Sequence, residues 1–196
     1  MRCQSLMLEL GRPAADFQLP DTTGRSVQFR DVAGPAGTFV VFICNHCPFV
    51  QYFVEDLVTF ANDYAAKGIG SAAISSNDVA AQPDDGPEQM AQFAAQHQFS
   101  FPYLYDATQA VAKAYGAACT PDLFLYDAEA RLYYRGQFDG GRPKTPHSRP
   151  IKAPIRGGDL RGAAERLLAG LSPPESQVPS IGCSMKWAPG NEPEWA

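Results

Sequence analysis

The chain of 196 residues predicts an α/β fold, a central mixed sheet with helices on both faces, and three observations predict it. Short apolar runs alternate with segments whose apolar residues recur every third or fourth position. Residues 37–44 are β-branched and aromatic on both faces, the pattern of a strand covered from both sides. Residues 123–126 and 132–138 flank the polar stretch 127–131 and read as an antiparallel hairpin at the sheet edge.

Taken in order, residues 26–29 form a short alternating strand after the turn Asp21-Thr22-Thr23-Gly24, an N-terminal hairpin extension. The strand at 37–44 follows. A helix begins near Cys47, with Val50, Phe53, Val54, Leu57, Val58, Ala61 and Tyr64 as its buried stripe and Gly68 as its stop. Residues 69–75 read as the next strand. Asp85-Gly86-Pro87-Glu88 opens a helix with proline near its first position, and Met90, Phe93, Ala94 and His97 share one face. Residues 101–105 are extended, 108–115 form a short helix, and Gly116 ends it. After the hairpin, 139–158 is a proline-rich loop, and Leu160, Ala163, Leu167, Leu168 and Leu171 mark a last amphipathic helix. Nine of the seventeen prolines fall after residue 138, so the organisation expected is one domain over 1–171 and an irregular tail over 172–196. Ile181, Met185, Trp187 and Trp195 should dock that tail on the body.

A net charge of −5 argues against nucleic acid as a partner, because phosphate binding needs a basic face. The longest apolar run, residues 39–44, is far too short to span a bilayer. The first ten residues carry one basic residue, are interrupted by Glu9 and lead to no small-residue cleavage site, so a cytoplasmic location is expected. There thiols stay reduced, and the five cysteines at irregular spacing do not form a disulfide scaffold.

Cys44-Asn45-His46-Cys47-Pro48 stands where the core strand gives way to the helix. A two-residue spacer brings two sulfurs within bridging reach. The helix N-terminus favours thiolate over thiol, His46 adds charge when protonated, and Pro48 costs little in a first turn. This placement predicts thiol–disulfide exchange with Cys44 as the exposed attacking sulfur, Cys47 as the buried resolving one and His46 tuning the thiolate. No metal or organic cofactor is required. Structural zinc would need about four ligands, and no second C-x-x-C exists. A soft ion such as Cu(I) on Cys44, His46 and Cys47 is the alternative, a metal carrier rather than an enzyme. His97 and His147 lack spaced partners and receive no role.

The chain resembles the thioredoxin-like superfamily, in particular its redoxin (AhpC/TSA) branch. Residues 13–21 look like the opening P-x-x-x-F-x-L-x-D, the strand–C-x-x-C–helix follows, and residues 120–127 look like T-P-x-x-x-x-x-D. The likeness runs over about residues 9–170, and the tail around Cys183 is similar to that of a bacterial subgroup labelled only "thioredoxin family protein". The resemblance implies that the Thr120–Pro121 bond is cis and lies beside the cysteines. Pro121 would shape a substrate groove and leave the Thr120 backbone free to pair with an extended segment. Asn45, Pro48, Phe49 and Thr120 are the expected substrate contacts, and a protein or small-molecule thiol or disulfide is the expected substrate.

Peroxiredoxins resemble this body too, with the motif P-x-x-x-T-x-x-C and a distant arginine. With Cys47 as that cysteine, Cys44, Val40 and Pro121 stand in place of the threonine, the proline and the arginine, which disfavours a thiol peroxidase. Thr38 takes the position of thioredoxin's buried aspartate, so a proton would need another route. Two further expectations concern the second half. Cys119 and Cys183 form a candidate second thiol pair if the tail packs back over the Pro121 end of the sheet. Residues 142–166 carry seven basic residues against Asp159 and Glu165, a surface for an acidic partner.

Overall fold

A computed structural model describes residues 2–144, 149–154 and 156–196; His147 lies outside them. In chain order the elements are β1 (Arg2–Gln4), β2 (Gln18–Pro20), β3 (Ser26–Gln28), α1 (Phe29–Val32), β4 (Gly37–Phe42), α2 (Pro48–Ala65), β5 (Ile69–Ser75) and α3 (Pro87–Gln96). They continue as β6 (Tyr103–Tyr105), α4 (Ala110–Tyr115), β7 (Cys119–Thr120), β8 (Asp122–Asp127), β9 (Leu132–Tyr134), α5 (Gly158–Leu168) and β10 (Ile181–Ser184).

The main sheet runs β6-β5-β4-β8-β9. β4, β5 and β6 are parallel, and β8 and β9 antiparallel, as the hairpin requires. All six residues of β4 are buried because its alternate side chains feed two cores. Phe39 and Val41 join α2, α3 and α5 on one face; Val40 and Phe42 join α4 and the β2–β3 hairpin on the other. Burial on both faces is what the unbroken apolar run of β4 predicts, and it fixes the strand's C-terminal end beneath α2. Gly116 closes α4 in the left-handed conformation at φ +61°, where a side chain would be strained.

The second sheet, β1-β10-β7, is the part the sequence does not predict. The tail is not wholly irregular: Ile181–Ser184 is a strand between β1 (Arg2–Gln4) and β7 (Cys119–Thr120). Met185 is buried in the second core, Ile181 and Trp187 pack on the cores, and Trp195 rests edge-on against Trp187 at 5.6 Å between rings. Register rules out the expected Cys119–Cys183 pair. Cys183 is opposite Thr120 and Cys119 opposite Ser184, so the two cysteines point to opposite faces. Cys119 lies instead with Cys3 on the far face, near Asp122.

Candidate functional site

β4 ends at Phe42, and Ile43 still donates to Ile74, so residues 44–47 begin their turn from the rigid rim of the sheet. Pro48 opens α2 as its first residue and Cys47 is the N-cap. The Cys47 side chain makes no capping hydrogen bond to the first turn, so the sulfur is left to its neighbours across the turn. Across from the turn, the Thr120–Pro121 bond is cis, as the family likeness implies. As thiols, Cys47 donates to the Thr120 carbonyl at 3.1 Å and Cys44 lies 3.3 Å from the Thr120 hydroxyl.

The expected division between an exposed Cys44 and a buried Cys47 is not found: both have 0% exposure. All five cysteines are free thiols, and no two sulfurs lie at bonding distance among the described residues. The thiolate preference is also reversed. Burial would push the Cys47 thiol up, but the neighbouring Cys183 and Cys44 thiols and Thr120 overrule it and hold it well below the ordinary range. Cys44 is pushed up, first because its proton serves Cys47, then by burial and by the charge of Asp85. Cys47 stands at the N-cap position of α2, nearer the positive end of the helix than Cys44 three residues earlier.

His46 has a partner that sequence reading missed. Its Nδ1 lies 2.7 Å from Oδ2 of Asp85, whose side chain is 0% exposed. Asp85 also accepts from the Asn45 N–H at 2.8 Å, the His46 N–H at 3.3 Å and the Asn77 amide at 2.8 Å. The Asp85 hydrogen bond raises the His46 pKa against the effect of burial. Burial would raise that of Asp85, but His46 and Asn77 bring it below the usual carboxylate range. Asp85 is read from sequence only as a helix-opening residue, 39 positions from His46, and no local signal links them.

Of the expected substrate contacts, Pro48 is exposed and the other three are not available at the surface. The Asn45 side chain donates to the Asp84 carbonyl and accepts from the Tyr103 hydroxyl, which makes it a staple of the loop. Phe49 is buried beneath the Arg2 guanidinium, 5.8 Å from its ring. Thr120 is buried and paired to β10, so the edge expected to be free carries the chain's own tail. Cys44, His46 and Asp85 bring ligand atoms within 4.8 Å of one another, the one such group of three among the described residues. Both Asp85 oxygens already hold protein donors, so a cation there would have to displace them.

The basic stretch 142–166 largely finds partners within the chain. Arg156 pairs with Asp56 at 2.5 Å, Arg161 with Asp63 at 2.8 Å, and Arg166 donates to the Ser172 carbonyl. Arg142 donates to Gln137 and to the Asp139 carbonyl. No helix among the described residues is long and apolar enough to cross a membrane.

Residues 10–135 match the AhpC/TSA family. The structure of an uncharacterized conserved protein from Geobacillus kaustophilus is 46% identical, with a TM-score of 0.90 over 97% of this chain and 98% of that one. The thiol-disulfide oxidoreductase ResA of Halalkalibacterium halodurans is 26% identical over 62% of this chain; the match spans 65% of its length. The thioredoxin domain of a thiol-disulfide oxidoreductase from Bacteroides vulgatus, 18% identical, shares the fold at a TM-score of 0.60 over 82% of this chain and 99% of that domain.

Proposed function

Because the chain belongs to the AhpC/TSA family, and the matched residues include both cysteines of the turn, we propose that it is a thiol–disulfide oxidoreductase whose redox couple is Cys44 and Cys47. The observation that carries this reading is the Cys47 sulfur. It stands at the N-cap position of α2, 3.1 Å from the Thr120 carbonyl beside the cis Thr120–Pro121 bond, with the Cys44 sulfur against the Thr120 hydroxyl at 3.3 Å.

In the reducing direction the Cys47 thiolate attacks one sulfur of a protein or small-molecule disulfide. That S–S bond breaks, one half leaves as a thiolate, and a mixed disulfide stays on Cys47. Cys44 gives up its proton, for which the neighbouring His46–Asp85 pair is the acceptor. Its sulfur then attacks the Cys47 sulfur, the second half departs, and a Cys44–Cys47 disulfide remains. Run backwards, the same steps oxidise a dithiol. A cytoplasmic location is part of the same proposal, supported by free thiols that stay reduced there.

Two variants test the assignment. Cys47→Ser loses disulfide reduction by about a hundredfold or more, since no other sulfur is held as thiolate at the helix cap. The double variant Cys44→Ser, Cys183→Ser accumulates a mixed disulfide with glutathione on Cys47, read by intact mass. Peroxide turnover that survives Cys44→Ser, with no disulfide exchange in the wild type, would replace this reading with a thiol peroxidase.

A further inference from the structure

The edge of Thr120 is where an extended substrate would pair, and the tail strand β10 occupies it antiparallel. Cys183 stands directly opposite Thr120, so its side chain lies on the face that looks toward Cys47, whose sulfur meets the Thr120 carbonyl at 3.1 Å. Cys183 also packs against the cluster that contains Cys44 and Cys47.

The approach is built in. A Cβ on Gly182 would run into the Thr120 carbonyl, so only glycine lets the strand come this close. Ser180 donates to the Pro121 carbonyl at 2.8 Å on one side of Cys183, and the Met185 N–H donates to Ala118 at 3.0 Å on the other. Of the three sulfurs, those of Cys44 and Cys47 are sealed, and Cys183 belongs to a residue that reaches solvent in part.

We propose that Cys183 is a third redox cysteine, held in the substrate position by its own chain, and that Cys47 exchanges its disulfide between Cys44 and Cys183. This rests on the Cys44–Cys47 couple proposed above. From the Cys44–Cys47 disulfide, the Cys183 thiolate attacks the Cys47 sulfur. The bond to Cys44 breaks, and Cys44 keeps the electron pair and takes up a proton equal to the one Cys183 lost. A thiolate from outside then attacks the Cys183 sulfur, and Cys47 leaves with the electron pair. A good leaving group is one whose thiolate is stabilised, which suits Cys47. A second outside thiolate resolves the mixed disulfide on Cys183. In sum, two outside thiols become a disulfide, and Cys44 and Cys47 become thiols.

The test uses the full-length protein, oxidised with one equivalent of diamide, quenched in acid, alkylated and mapped by peptide mass spectrometry. The expected wild-type map contains both Cys44–Cys47 and Cys47–Cys183 peptides. Cys44→Ser gives Cys47–Cys183 alone. Cys183→Ser gives Cys44–Cys47 alone and is reduced by glutathione about tenfold or more slowly, because the attacked sulfur is then buried. Should Cys44→Ser not fold, the wild-type map decides. A map with Cys44–Cys47 but never Cys47–Cys183, or a reduction rate unchanged in Cys183→Ser, overturns the role of Cys183. Absence of the Cys44–Cys47 link from Cys183→Ser as well as from the wild type overturns the parent couple instead.

Discussion

Two histidines in this molecule make the same bond in different settings. His46 at the start of α2 reaches Asp85 through Nδ1 at 2.7 Å, and His97 at the end of α3 reaches Glu55 through Nδ1 at 2.6 Å. The distances are alike; the carboxylates are not. Asp85 is fully enclosed and holds three further donors, whereas the Glu55 side chain is 75% exposed. Water competes for Glu55 and screens its charge, so the outer pair contributes little. Asp85 has no water to fall back on, so its hydrogen bonds hold the C-x-x-C turn in place.

The largest effect should come from Asp85→Ala, which strands two backbone N–H groups of the turn, the Asn77 amide and His46 together. We expect a loss of about 3 kcal/mol in urea unfolding and faster alkylation of both turn cysteines. His46→Ala is milder, at about 1–2 kcal/mol, because Asp85 keeps its other donors. The pair also carries a pH signature. With its pKa raised, His46 contributes fully below about pH 6.5 and loses that contribution as pH rises through the raised value. Asp85, with its pKa lowered, contributes above about pH 3.9 and loses that as pH falls through the lowered value. The stability difference between wild type and His46→Ala is therefore widest between these limits and narrows toward pH 9. The smallest effect is His97→Ala, under about 1 kcal/mol with no change in cysteine alkylation. Equal losses from His46→Ala and His97→Ala would break the comparison.

The same contrast between local and distant partners explains what could be read from the chain beforehand. β4, β5, α2 and α3 announce themselves through periodicity and through Pro48 and Pro87 at their helix starts, because those signals lie within a few residues. The C-x-x-C turn and the cis Pro121 were legible for the same reason, helped by family likeness. The burial of Cys44 was not, since the groups around its sulfur, Thr120 and Asp85, come from far along the chain. Strands of three, four and two residues, joined across the whole chain, leave no pattern that stands out from a loop. Asp85 was visible as a residue and invisible as a partner, because its role is set by where two distant loops meet.

The small sheet that joins Arg2 to Cys183 has a consequence for the order in which the protein is made. Its first strand leaves the ribosome long before its partner, since Gln4 pairs with Ile181. Once β9 is out, about fifty residues remain before β10 is complete, roughly 3 to 10 s at ~5–20 residues per second. During that interval the main sheet and α2 are free to assemble while the dithiol stands without its cover. A nascent chain stalled after β9 would thus present Cys44 and Cys47 to solvent as the finished protein does not. Pulse alkylation of stalled chains against released ones reads that difference directly.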